Sequence, residues 1–332
     1  MKRILSVLSA GLLCAGLLSG CRGSAPDAGL TPVTLNEVAH SIFYAPQYAA
    51  IELGYFEDQG IDLTLVNGGG ADKVMTALIA DEAQIGFMGS EASIYTYANG
   101  SEDYAVNFAQ LTQRAGNFLV GRTPEPDFSW DGLRGKTVLG GRAGGMPQMV
   151  FEYILKKHGL DPKEDLSIDQ SIAFGLTAAA FEGSGAQYTV EFEPYATVLE
   201  LEGKGYVVAS LGTESGYVPY TAYCAKKSFL EKEPKVVQGF TNAIQQGLTY
   251  VNTHTPEEIA QTIAPQFKET PLENITAIVR RYQEQDTWKE NTVFEKSSFD
   301  LLQNILEEAG ELKERVPYEE LVTTEFSEAA LN

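Results

Sequence analysis

Three cysteines in 332 residues, Cys14, Cys21 and Cys224, leave this chain without a disulfide framework. Cys14 sits inside an N-terminal apolar run and Cys21 directly after it, so Cys224 stands without a partner. No histidine lies near Cys224 in sequence to activate it, and its neighbours Tyr223 and Ala225 suggest a buried strand residue. Histidine is equally scarce: His40, His158 and His254 are widely separated and show no zinc-ligand spacing, so no metal is expected. Cations are outnumbered, with 24 Lys and Arg against 45 Asp and Glu for a formal net charge of −21. That balance argues against nucleic acid and weakly against polyanions, although local backbone donors can still hold an anion. A Gly-x-Ser-x-Gly elbow, a P-loop Gly-x-x-x-x-Gly-Lys-Ser/Thr and the dinucleotide pattern Gly-x-Gly-x-x-Gly are all missing. Triad hydrolysis and nucleotide binding lose their usual signatures, and no cofactor is expected.

What is present begins with a leader. Lys2 and Arg3 precede apolar residues 4–18, a run too short for a comfortable membrane span. Leu18-Ser19-Gly20-Cys21 closes it and resembles a bacterial lipobox, whose cysteine becomes the acylated N-terminus. Residues 1–20 are read as a lipoprotein signal peptide, Cys21 as the lipidation site, and residues 21–30, with Gly23-Ser24-Ala25-Pro26, as a flexible tether. Export, with a lipid anchor on the outer face of the bacterial cell membrane or residence in the periplasm, is the expectation.

Strand and helix patterns then alternate, which predicts an α/β fold with a mainly parallel sheet. Val33 and Leu35 alternate as a strand, residues 36–44 form a turn, Pro46 suits a first helical turn, and Gly54 suits a helix stop at positive φ. Residues 61–66 alternate as a strand, followed by three glycines and a helix over residues 71–80; residues 84–88 read as a buried strand ending at Gly89-Ser90-Glu91. A linker at residues 122–127 opens a second α/β unit with a glycine-rich turn at residues 140–145, a helix over residues 146–157 and a strand at residues 188–190. The chain from residue 234 to 312 reads as mostly helical.

In open α/β sheets, ligands bind in loops at the carboxyl ends of strands. Asn36, Glu37, His40, Phe43 and Tyr44 are therefore the first binding candidates, joined by Gly89, Ser90 and Glu91 after the third strand. Gly68 and Gly69 allow backbone to approach a ligand closely, and Arg142, Gly144 and Met146 sit where a helix start offers free N–H groups. Tyr188, Glu191 and Glu193 complete an opposing wall. Two carboxylates at a strand end could do acid/base chemistry, but ligand recognition is the reading preferred.

Phe43-Tyr44-Ala45-Pro46, the run from Glu52-Leu53-Gly54-Tyr55-Phe56 to Gly60-Ile61-Asp62-Leu63, and Ala80-Asp81-Glu82-Ala83-Gln84-Ile85-Gly86 together resemble the NMT1/THI5 and SsuA-like solute-binding proteins of ABC importers. Leu133-Arg134-Gly135-Lys136-Thr137-Val138 and Phe192-Glu193-Pro194 add to the resemblance. It implies a type II periplasmic-binding-protein fold: two α/β lobes joined by two crossing segments, with solute held between them. Lobe 1 would take residues 31–115 and 222–332, lobe 2 residues 122–215, and the hinge crossings residues 116–121 and 216–221. The partners implied are a small molecule and the permease and ATPase of an importer; a monomer is expected, and no enzyme activity is implied.

The family's ligands include alkanesulfonates, nitrate, riboflavin-like compounds and thiamine pyrimidine precursors. Here aromatic and acidic residues crowd the candidate loops while Arg142 is the obvious cation, which favours a flat nitrogen heterocycle such as a thiamine pyrimidine precursor over sulfonate, nitrate or bicarbonate. Two rivals come from other classes. One is an exported sensor lipoprotein; the other is a THI5-like pyrimidine-synthesising enzyme, whose cysteine cluster this chain lacks.

Overall fold

Val33, Leu35, Ile85 and Phe87 are fully or almost fully buried because the strands that carry them lie inside a sheet flanked by helices. The structure is a computed structural model describing residues 29–173 and 175–332. The expected signal peptide, Cys21 and residues 22–28 of the tether lie outside the described residues.

The strands are β1 (Thr31–Glu37), β2 (Ile61–Asn67), β3 (Ile85–Met88), β4 (Ala105–Thr112), β5 (Asn117–Gly121), β6 (Thr137–Leu139), β7 (Ser167–Asp169), β8 (Tyr188–Phe192), β9 (Tyr206–Ser210) and β10 (Thr221–Lys226). They form two five-stranded sheets in the orders β2-β1-β3-β10-β4 and β7-β6-β8-β5-β9. In the first, β1 runs parallel to β2 and β3, and β10 is inserted antiparallel between β3 and β4. The second repeats the pattern, with β6 parallel to β7 and β8, and β5 antiparallel between β8 and β9. Each sheet thus keeps one direction except for the strand by which the chain enters the second lobe or returns to the first.

The chain passes from β4 to β5 through residues 113–116, and from the helix Leu211–Ser215 to β10 through residues 216–220. Residues 117–121, expected within a crossing, are the strand β5: Phe118, Leu119 and Val120 pair on both sides and are buried in the second sheet. The helix Leu272–Glu284 fastens to this hinge. Tyr282 OH donates to Gly116 O at 2.8 Å and Gln285 Nε2 to Ala115 O at 3.1 Å.

Helices follow the sequence signals closely. Pro46 lies in the first turn of Ala45–Glu52, and Gly54 has φ 76°, as its place after a helix requires. Ala71–Ile79 buries Val74, Met75, Ala77 and Leu78, and Met146–Lys157 has the bounds its pattern predicts. The C-terminal part divides into Pro234–Thr253, Pro256–Ile263, Leu272–Glu284 and Lys296–Ala309, with a non-helical stretch at residues 285–295 that bridges β4 through Trp288 and Thr112. Lys296–Ala309 packs against Met146–Lys157 of the second lobe, and Lys156 Nζ donates to Glu308 O at 2.6 Å. The C-terminal part therefore also braces the lobe it was not expected to join.

Candidate functional site

The carboxyl ends of β1, β2 and β3 face those of β6 and β8 across a cavity of about 240 Å³. The first lobe contributes the loop after β1, Tyr44, the glycines after β2 and the start of the helix Glu91–Ala98. Opposite stand Arg142, the first turn of Met146–Lys157 and the end of β8, with Tyr220 from the second crossing.

The glutamate that ends β1 does not reach this cavity. Glu37 is wholly buried, and its carboxylate accepts from Gln47 Nε2 at 2.7 Å, Tyr48 OH at 2.8 Å and His40 Nδ1 at 2.8 Å. His40 Nε2 donates to Gln266 O at 2.9 Å, and the ring stacks on Phe267. The Gln266 carbonyl can only accept, so Nε2 carries a proton, and the hydrogen bond to Glu37 raises the His40 pKa against the opposing effect of burial. His40 lines the cavity, but its polar atoms already serve the first lobe.

Glu91 differs. It is 2% exposed, lines the cavity, and its Oε2 has no hydrogen-bond partner. Burial pushes its carboxyl up to about 7, against the opposing pull of its own N–H, Arg142 and the Met146 N–H. The Glu91 carboxylate folds over Gly89, where a Cβ would run into Oε2 and push the carboxylate aside. The Arg142 side chain is about half exposed and stands 3.9 Å from Asp72.

On the second lobe, Glu191 is also buried and pushed up to about 7 by burial. The hydroxyls of Thr189 and Thr177 donate to it at 2.6 and 3.0 Å, and among the described residues no cation pairs with it. Two residues on, Glu193 is paired: Arg281 Nη1 lies 2.5 Å from Oε1, Arg281 Nη2 reaches Glu200 at 3.1 Å, and the Thr197 N–H donates to Oε2 at 3.0 Å. Burial still raises the Glu193 pKa. The Ser41 hydroxyl donates across the lobes to Glu193 O at 2.8 Å.

Of the residues singled out from sequence, His40, Tyr44, Gly69, Gly89, Glu91, Arg142, Met146, Glu191 and Glu193 line this cavity. Asn36, Glu37, Phe43, Gly68, Ser90, Gly144 and Tyr188 do not. Gly68 packs on Asn36, where a Cβ would fall 2.6 Å from Oδ1. Phe43 is a core ring tilted against Tyr44, Phe192 and Tyr282. The Ser90 hydroxyl is buried beside Pro219 O, and Tyr188, at the amino end of β8, donates to Glu125 at 2.8 Å. Among residues not anticipated, Tyr220 brings a buried hydroxyl without a partner, and Thr177 holds Glu191. Tyr220 falls in the crossing expected at residues 216–221, and the return of the chain between the lobes brings it to the cavity.

A second, more open chamber of about 650 Å³ adjoins the first and shares Ala71, Glu91 and Arg142 with it. Gly144 belongs to this outer chamber, with Tyr95, Asp72 and Glu311.

A family model described as "NMT1/THI5 like" matches residues 42–259. A Bacillus subtilis (strain 168) protein named "Putative binding protein YtlA" is 41% identical over 324 residues, covering 97% of each chain. In structure, the chain is similar to the periplasmic nitrate-binding protein NrtA of Synechocystis PCC 6803, with a TM-score of 0.76 and 15% identity over 91% of this chain and 88% of that one. It is also similar to the alkanesulfonate-binding protein SsuA of Xanthomonas axonopodis pv. citri bound to MOPS, with a TM-score of 0.71 and 14% identity over 89% and 99%. At such identities these two neighbours establish the periplasmic-binding-protein fold and nothing finer.

Proposed function

The chain belongs to the NMT1/THI5-like family, and from that membership we propose that it is the solute-binding receptor of an ABC importer. Its lobes close on a small ligand at the carboxyl ends of their strands, and a membrane permease with its ATPase receives the ligand from the closed form. In this reading it works outside the cell membrane as a monomer anchored through Cys21. The ligand is a nitrogen heterocycle such as a pyrimidine precursor of thiamine.

The observation that carries the ligand class is the charge of the buried walls. Glu91 and Glu191 line the cavity with no salt bridge to either, while the Arg142 side chain, the one Arg or Lys lining it among the described residues, is about half exposed. A sulfonate or nitrate there would meet two buried carboxylates, whereas an amino-heterocycle brings them donors, each charge-assisted bond contributing about 1.5–3 kcal/mol. Tyr44, Phe192 and Tyr220 supply ring faces for a flat ligand. Binding without covalent chemistry fits Cys224, whose thiol is buried away from the cavity and pushed up to about 12 by burial.

Thermal melting of the mature protein against pyrimidines, flavins, sulfonates, nitrate and bicarbonate tests this. A ligand at 100 times its Kd adds about 2.7 kcal/mol of stability. Stabilisation by a pyrimidine is expected; stabilisation by a sulfonate or nitrate and by no heterocycle overturns the ligand class.

A further inference from the structure

The inner cavity, at about 240 Å³, is smaller than the range of roughly 300–1,000 Å³ typical of small-molecule sites. It does not end at Glu91 and Arg142, because both residues also line the outer chamber. We propose that the outer chamber is a second subsite, taking a cationic, flat-faced extension of the same ligand whose head fills the inner cavity. This rests on the receptor and heterocycle reading above.

Three observations carry it. First, the shared wall holds a buried carboxylate oxygen with no donor, Glu91 Oε2, so an amino N–H on the head, beside its link to the extension, would supply the missing hydrogen bond and aim the extension outward. Second, among the described residues Asp72, Glu91 and Glu311 line the outer chamber against one cation, Arg142, itself near Asp72. An anionic extension is opposed there and a cationic one attracted. Third, the chamber presents apolar and aromatic surface. Ile79 is 51% exposed and lies beside Met75 and Tyr95, whose OH donates to Gly144 O across the lobes at 3.3 Å. A flat cation against the Tyr95 ring would cover this surface and gain a cation–π contact.

Calorimetric titration with two probes tests the subsite: the dimethyl aminopyrimidine that forms the head of thiamine, and thiamine itself, the same head joined to an aromatic thiazolium. Thiamine should bind at least about tenfold more tightly than the head, the scale of one desolvated cation–π or charge contact. The double variant Asp72→Asn, Glu311→Gln, and separately Thr96→Trp, which fills the outer chamber, should each remove that gain and leave the affinity of the head unchanged. Thr96 is only half-buried, so its variant keeps the test open if the acidic pair proves necessary for folding. Head binding with no gain from thiamine overturns the subsite and leaves the receptor reading standing. So does a Thr96→Trp protein that binds both probes more slowly with unchanged affinity, because the chamber is then an entrance only. Failure of both probes overturns the subsite together with the heterocycle reading.

Discussion

The loops after β1 and β3 are topological twins that treat their acids in opposite ways. Both follow parallel strands of the first sheet, both lead into a helix, and each is flanked by a glutamate at most 2% exposed, Glu37 at the end of β1 and Glu91 at the start of the helix. Glu37 is enclosed by donors from Gln47, Tyr48 and His40, all reached within the same loop and helix. Glu91 is folded onto Gly89 with one oxygen bonded to nothing. One carboxylate holds a wall in shape, and the other has hydrogen-bonding capacity left for a visitor. Burial alone therefore does not separate the two acids; the count of donors around each does.

The largest expected effect separates the two acids by stability. Glu37→Leu leaves the buried Gln47 and Tyr48 donors without their acceptor and should cost about 3–5 kcal/mol in urea unfolding. Glu91→Gln removes a poorly satisfied charge and should leave stability at pH 7 equal or higher, while weakening a bound aminopyrimidine by about ten- to one-hundredfold. If Glu91→Gln destabilises as much as Glu37→Leu, the contrast is broken.

pH sharpens the same contrast. The folded Glu91 and Glu191 carboxyls titrate at about 7, above their ordinary 4.5, so their protonated forms are favoured by folding. That contribution is complete below pH 4.5 and is lost as pH rises toward 7 and above. Stability of the ligand-free protein should therefore fall across this window, by up to about 3 kcal/mol for each acid, and Glu91→Gln should remove its share of the slope. A Glu91→Gln protein with the unchanged slope would contradict the assignment.

A smaller effect is expected at Arg281, on the opposite wall. It is one-third exposed, and Arg281→Met would leave the Glu193 carboxylate held by Thr197 without its cation. The expected loss is about 2 kcal/mol of stability, measured by urea unfolding. Its effect on affinity should be weaker than that of Glu91→Gln, since Glu193 already has partners.

The fold was legible because its signals are local. Period-two alternation in β2, helical spacing in Ala71–Ile79 and Met146–Lys157, and glycine at the helix end of Gly54 each act within a few residues. The site was legible only to the level of loops. Nothing near Glu37 distinguishes it from Glu91 in sequence, because what decides their roles is where surrounding donors end up in space. Arg281 reaches Glu193 from 88 residues away and Gln266 reaches His40 from 226. Tyr220 escaped for the same reason, being set in place by a crossing whose path depends on both sheets.

The smallest expected effect tests a residue that sequence placed in the site and the structure places elsewhere. Tyr188 begins β8, and side chains at the amino end of a strand of five residues point away from a cleft built on carboxyl ends. Its hydroxyl donates to Glu125 at 2.8 Å. Tyr188→Phe keeps the ring in the core and removes that one partly buried hydrogen bond, for a loss of about 1 kcal/mol in unfolding and no change in the affinity of any ligand the cavity takes. A weakened ligand with intact stability would show instead that the cleft extends along β8 to its amino end, and the separation drawn here between the two ends of that strand would fail.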